Sequence, residues 1–193
     1  MDQFVSFEKL INNFPRMLRI LERSELLNFS HVFTRKNKLG EVRNILIEKN
    51  VFNEKYLNGD NDFKGLYVIY EFCKPLYVGI SRKCIQRLRD HVNAETHFSS
   101  SFAFKLAKNE ELKVNPEFIN KETGKKYLRK EFETTGKVAK MCRRINDNMQ
   151  VRIYPFNYIS DEKEDEVQNA QMYLFEVYCS LKLNTPYNSF RTH

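Results

Sequence analysis

The spacing of apolar and polar positions changes once along this chain, near residue 63. Before it the period is helical. Ser6 stands ahead of a helix through Leu10 and Ile11, and Pro15 opens a second carrying Leu18, Ile20, Leu21 and Leu26. Val42, Ile45 and Leu46 share one face of a third helix over Glu41 to Glu48. The turn-rich run Asn58 to Asp62 (NGDND) closes this part. It sets a boundary between a helical N-terminal extension, residues 1–62, and a domain over residues 63–193.

After the boundary, Gly65 to Phe72 (GLYVIYEF) and Leu76 to Ile80 (LYVGI) are rich in β-branched and aromatic residues. Cys73, Lys74 and Pro75 join them, so the pair reads as a β-hairpin. Ser81 is placed to cap a helix through Ile85, Leu88 and His91. The serines Ser99 to Ser101 start another, carrying Phe102, Phe104, Leu106 and Ala107. Residues 109–124 read as a loop, and 125–148 as helix broken at Thr134 to Gly136. Gln150 to Ile159 alternates as a third strand, in which Pro155 marks an edge position or a bulge. Asp161 and Glu164 form a capping pair for a last helix. Its apolar stripe is Val167, Ala170, Leu174, Val177 and Leu181, and Asn184 to Pro186 ends it. The pattern after the boundary thus gives three strands, two of them a hairpin, among helices.

Composition narrows the class. Of 193 residues 41% are hydrophobic, with ten Tyr and sixteen Phe, enough for a buried core. No apolar run reaches the length of a membrane span, and MDQFVSFEKL lacks the basic start and apolar centre of a signal peptide. The four cysteines form no CxxC pair, and with the four histidines they complete no zinc pattern. Reduced thiols in a cytoplasmic protein fit that spacing.

Net charge is +7 and unevenly spread. Lys125 to Arg144 holds eight basic and two acidic residues, whereas Asp161 to Glu166 holds five acidic and one basic. The basic set comprises Lys125, Lys126, Arg129, Lys130, Lys137, Lys140, Arg143 and Arg144. Joined by Arg82, Lys83 and Arg89, it is suited to track a nucleic-acid backbone, which confers affinity without sequence choice. A solvated helix surface is the plainer reading of the same charges.

Chemistry enters with spacing. Tyr77 follows Tyr67 by ten residues, Arg87 follows Tyr77 by ten, and His91 lies four further on, on the same helical face as Arg87. Glu176 precedes Asn188 by twelve residues, within the segment FEVYCSLKLNTPYN. Alone, the tyrosines are strand formers, Arg87 a surface arginine and His91 a core histidine. Glu176 alone is half of a buried ion pair.

As an ordered set, GLY, YVG, Arg87, His91 and the late Glu176 with Asn188 resemble the GIY-YIG nuclease signature. The resemblance covers roughly residues 63–190, with Leu66 and Val78 replacing isoleucines. It implies an α+β domain, a small three-stranded antiparallel sheet flanked by helices, and makes residues 98–149 a basic helical insertion. It implies a metal-dependent endonuclease that hydrolyses phosphodiester bonds in DNA, or RNA, in restriction, defence, repair or a mobile element. The chain ends five residues after Asn188, with no C-terminal targeting domain, which weakens the mobile-element role. By the resemblance, Tyr67 is the general base, Tyr77 and His91 orient or relay, and Arg87 holds phosphate. Glu176 binds one Mg²⁺ or Mn²⁺, and Asn188 holds the site together. Free tyrosine, with a pKa near ~10, is a poor base at neutral pH and needs help from its surroundings. Two other classes remain: a catalytically silent DNA-binding or protein-interaction module of the same fold, and a homodimer formed through the N-terminal helices.

Overall fold

The computed structural model describes residues 6–34, 36–57, 61–93 and 100–188. Residues 1–5, Asn58 to Asp60 of the turn-rich run, and Ser99 lie outside them. Ser6 caps α1 (Phe7–Ile11), its hydroxyl accepting the Lys9 N–H. Pro15 sits in the first turn of α2 (Phe14–Arg23), which buries Phe14, Met17 and Leu21. A two-residue strand, β1 (Leu27–Asn28), runs into a single helical turn, α3 (Phe29–Val32). Helix α4 (Leu39–Glu48) follows and buries Val42 and Leu46.

The hairpin is β2 (Gly65–Glu71) and β3 (Lys74–Ser81), antiparallel, with Tyr67 opposite Gly79 and a bulge between Ile69 and Tyr70. Phe72 and Cys73 adopt positive φ at its tip. Next come α5 (Cys84–Asn93), α6 (Ser101–Val114), α7 (Arg129–Thr134), α8 (Lys137–Asn148), β4 (Met149–Pro155) and α9 (Glu162–Lys182). The sheet order is β1-β4-β2-β3. It has four strands rather than three, because Leu27 and Asn28 pair with Val151 and Gln150. Two residues ahead of a helix give no period-2 pattern, so the sequence hid this strand. Pro155 falls at the end of β4, opposite Gly65 and beyond the reach of β1.

Strand β2 is buried at every position because helices cover both faces of the sheet. On one face Tyr67, Ile69 and Tyr77 pack with Val151, Ile153 and the inward residues of α3 to α8. On the other, Leu66, Val68 and Val78 pack with Phe14 and Leu21 of α2 and with Met172, Phe175 and Cys179 of α9. Residues before position 62, among them Leu27, Phe29 and Leu46, share the first cluster with Tyr67.

Three local expectations fail for physical reasons. Helix α6 continues to Val114, so residues 109–114 are not loop. Its last turns are charged, but Glu111 is buried against the chain and ion-paired with Lys137. Ser81 does not cap α5; its hydroxyl accepts the Lys83 N–H. Asp62 takes the capping role from a distant turn, accepting the Ile85 N–H at 2.8 Å, the Gln86 N–H at 2.9 Å and the Phe63 N–H at 2.7 Å. Finally, α9 does not bury its Val/Ala/Leu stripe. It buries Asn169, Met172, Phe175, Cys179 and Ser180. Asn169 is tolerated inside because its amide bonds both partners of the Lys64–Asp165 ion pair. No helix among the described residues is long and apolar enough to cross a membrane.

Candidate active site

Four of the six residues singled out by spacing meet on one face of the hairpin. Tyr67 on β2 and Tyr77 on β3 point to the same side, and α5 lays Arg87 and His91 against them. The Tyr67 hydroxyl lies 2.8 Å from His91 Nε2, and His91 Nδ1 lies 3.1 Å from Ser100 Oγ. Tyr67 and Tyr77 rings are 6.4 Å apart, and Tyr77 stacks on Phe102 of α6 at 5.0 Å. Arg87 bonds the Tyr67 hydroxyl and donates from Nη2 to Ser101 Oγ at 3.1 Å. Ser101 also bonds the Tyr77 hydroxyl. The two serines at the start of α6, one of them its N-cap, thus tie His91, Arg87 and Tyr77 into one network.

The environment sets protonation. His91 is fully buried; desolvation, aided by the Arg87 charge, lowers its pKa to about 3, so it is neutral. Burial pushes the Tyr67 phenol well up, against the opposing pull of Arg87. Tyr67 is therefore a phenol here, hydrogen-bonded to a neutral imidazole. Tyr77 is raised by burial and then by the Glu176 charge, and lowered by Arg87.

Gly79 has a reason that the motif does not announce. It lies directly under Tyr67, and a Cβ placed there collides with the Tyr67 hydroxyl and ring. Only glycine lets that phenol lie flat across β3.

Glu176 and Asn188 approach along the exposed edge of β3. Glu176, from α9 on the opposite face of the sheet, is half-buried. Burial raises its carboxyl, Lys105 opposes that shift, and among the described residues it makes no hydrogen bond or ion pair. The Asn188 side chain acts like a short piece of strand: Oδ1 accepts the Val78 N–H and Nδ2 donates to the Val78 carbonyl, both at 2.8 Å. Thr185 donates to the same Oδ1, and the Tyr187 N–H bonds the Leu76 carbonyl.

Sequence reasoning missed Lys105. Helix α6 brings its ammonium 5.5 Å from the centre of the Tyr77 ring, where it donates to the Tyr187 carbonyl at 2.9 Å. Desolvation lowers its pKa, Glu176 raises it and Arg129 lowers it. A lysine inside an apolar helix pattern gives no signal of its own, and it becomes visible only once α6 is packed on β3.

The basic set divides. Lys125, Lys126, Arg129, Lys130, Lys140 and Arg143 are exposed, as are Arg82 and Lys83. Arg129 lies 4.7 Å over the Phe104 ring and its charge is felt at Lys105, so this part of the basic insertion borders the tyrosine cluster. Arg144 is committed elsewhere, to Glu71 by two bonds and to Glu110 by a third. Lys137 pairs with Glu111, and Arg89 is half-buried. These three are packing and pairing residues rather than open phosphate ligands. A hollow of about 940 Å³ lies among α3, α5 and α8, beside His31, Lys36 and Arg143, away from the tyrosines. Among the described residues no three His, Cys, Asp or Glu side chains gather as a metal cage.

Searches of protein-family models, curated proteins and solved structures return no match to this chain.

Proposed function

We propose that this chain is a metal-dependent endonuclease of GIY-YIG type, acting on DNA. The observation that carries the reading is the Tyr67–His91–Ser100 hydrogen-bond chain with Arg87 on the Tyr67 hydroxyl. Residues so far apart in sequence have no packing reason to be polar and mutually bonded in a closed interior, where each unpaired group costs about 1–3 kcal/mol.

The chemistry follows from the groups present. A water attacking phosphorus must lose a proton. Tyr67 Oη accepts it while its own proton passes to His91 Nε2, with His91 Nδ1–H held on Ser100. No free phenolate is required; a phosphate bound at Arg87 offsets the cation that the relay places on His91, whose pKa of about 3 opposes the step. Arg87 stays charged and offers planar donors to two phosphate oxygens. Lys105 adds a second cation beside Tyr77. Asn188 fixes the edge of β3 and hence the position of Tyr77.

Glu176 fits one Mg²⁺ or Mn²⁺. It is a half-buried carboxylate with no protein cation bonded to it among the described residues, and a hard cation that keeps most of its waters needs few protein ligands. When bound, the cation neutralises charge on the phosphate and on the leaving oxygen. Arg129, at the border of this site, and the exposed Lys125, Lys126 and Lys130 near it in sequence would carry the flanking backbone.

The second reading, a binding module without turnover, rests on the burial of Tyr67 and His91, which leaves the proposed base closed to water in this form. Incubation of supercoiled and linear DNA with the protein and Mg²⁺ or Mn²⁺ separates the two. Cleavage that chelation abolishes supports the hydrolase. Binding without cleavage across DNA and RNA substrates supports the module.

A further inference from the structure

We propose that α9 is a self-pairing surface and that the chain forms an antiparallel dimer with a second copy through it. Val167, Ala170, Leu174, Val177 and Leu181 alternate by three and four residues over two heptads, the spacing of a coiled-coil seam. A helix with such a stripe normally turns it to the core. Here the core takes the other face, and the stripe is left outside: Leu181 is 70% exposed, Val167 and Val177 36% each, and the adjoining Tyr173 59%. Leu174 is partly covered. A contiguous apolar strip of this kind on a chain of +7 net charge calls for a cover.

The occupant follows from symmetry and charge. Helix α9 runs from Glu162 to Lys182, so a two-fold axis level with Met172 overlaps it fully with its copy. In that register Val167 meets Val177 of the second copy, and Ala170 meets Leu174. Leu181, at the end of the stripe, meets the aliphatic stem of Lys163, and the two-fold axis makes the contact isologous and closed. The acidic first turn, capped by Asp161 and carrying Glu162, Glu164 and Asp165, then lies beside Lys182 of the other chain, at both ends. A parallel pairing would set the two acidic turns against each other. This surface is distinct from the N-terminal helices of the homodimer expectation, and the contact does not depend on the chemistry of the tyrosine cluster.

Sedimentation velocity on the full chain at micromolar concentration tests it. The wild type is expected as a dimer, and Val167→Glu and Val177→Glu as monomers with unchanged circular dichroism, since both positions are exposed within one chain. A second measurement fixes the register. A Val167→Cys/Val177→Cys chain, with the exposed Cys73 changed to Ser, should form an interchain disulfide on mild oxidation. A wild type that sediments as a monomer, charge variants that remain dimeric, or a cysteine pair that fails to cross-link would overturn the proposal.

Discussion

Tyr67 Oη and His91 Nε2 are 2.8 Å apart in a space closed to solvent. The imidazole is neutral because protonating it would put a second cation beside Arg87 in a low-dielectric interior. In the tautomer with its proton on Nδ1, held on Ser100 Oγ, the bond joins a phenol to an accepting nitrogen lone pair and gives Tyr67 a route for its proton. Replacing Tyr67 with Phe removes the proton carrier and leaves His91 Nε2 unpaired. DNA cleavage should fall by about 10²–10⁴-fold, the usual worth of a positioned acid–base group. Thermal melting should show a loss of about 1–3 kcal/mol from the unsatisfied nitrogen. Full activity in this variant would remove Tyr67 from the proton path.

His91 also predicts a pH dependence of stability. Its folded pKa, about 3, is below the unfolded value of 6.5, so the unfolded chain binds more protons between those limits. The contribution is complete above pH 6.5 and is lost as pH falls toward 3. One such proton weakens the fold by about 1.4 kcal/mol per pH unit across that window. Urea titrations from about pH 7 to about pH 4 should show that slope in the wild type and lose most of it in His91→Gln.

Gly79 and Asp62 position the site without belonging to it. Gly79→Ala should drive the Tyr67 phenol off β3 and reduce cleavage while DNA binding persists. Asp62→Ala leaves the N–H groups of Ile85 and Gln86 without their cap and should cost about 0.5–2 kcal/mol, the range for lost N-caps. The melting temperature should fall, and amide exchange should quicken first in the opening turn of α5.

The basic residues should separate by experiment as they do in space. Alanine at Lys125, Lys126 or Arg129 should weaken DNA binding and flatten the log–log salt dependence by about 0.9 for each phosphate no longer neutralised. Arg144→Ala should leave that slope unchanged and lower stability instead, because it strips Glu71 of its two donors. A salt slope altered only by Arg144→Ala would reverse this division.

The sequence was most legible where one residue type has one use. The resemblance to a known signature picked out Tyr67, Tyr77, Arg87 and His91, and these do converge. Asn188 could be placed near the site, but not as the clamp on Val78, because its partner is 110 residues away. The capping of α5 by Asp62 was hidden for the same reason: a nearer serine fits the local rule. The stripe on α9 misled because period and side-chain type show that a helix has an apolar face without showing what covers it. The buried face carries Asn169 and Ser180, which read as solvent residues until the Lys64–Asp165 pair is in place. Strand β1 escaped because two residues have no period.

Glu176 is the residue on which the catalytic account turns. The direct measurement is cleavage of supercoiled plasmid by wild type and Glu176→Gln across a Mg²⁺ titration, with DNA affinity determined in parallel in Ca²⁺. The account predicts metal-dependent cleavage by the wild type and none by the variant, at matched DNA affinity. It also predicts that the metal requirement rises as pH falls, beginning above the range of an ordinary glutamate, because burial raises this carboxyl. Cleavage by Glu176→Gln equal to the wild type, or no cleavage by either, would contradict it.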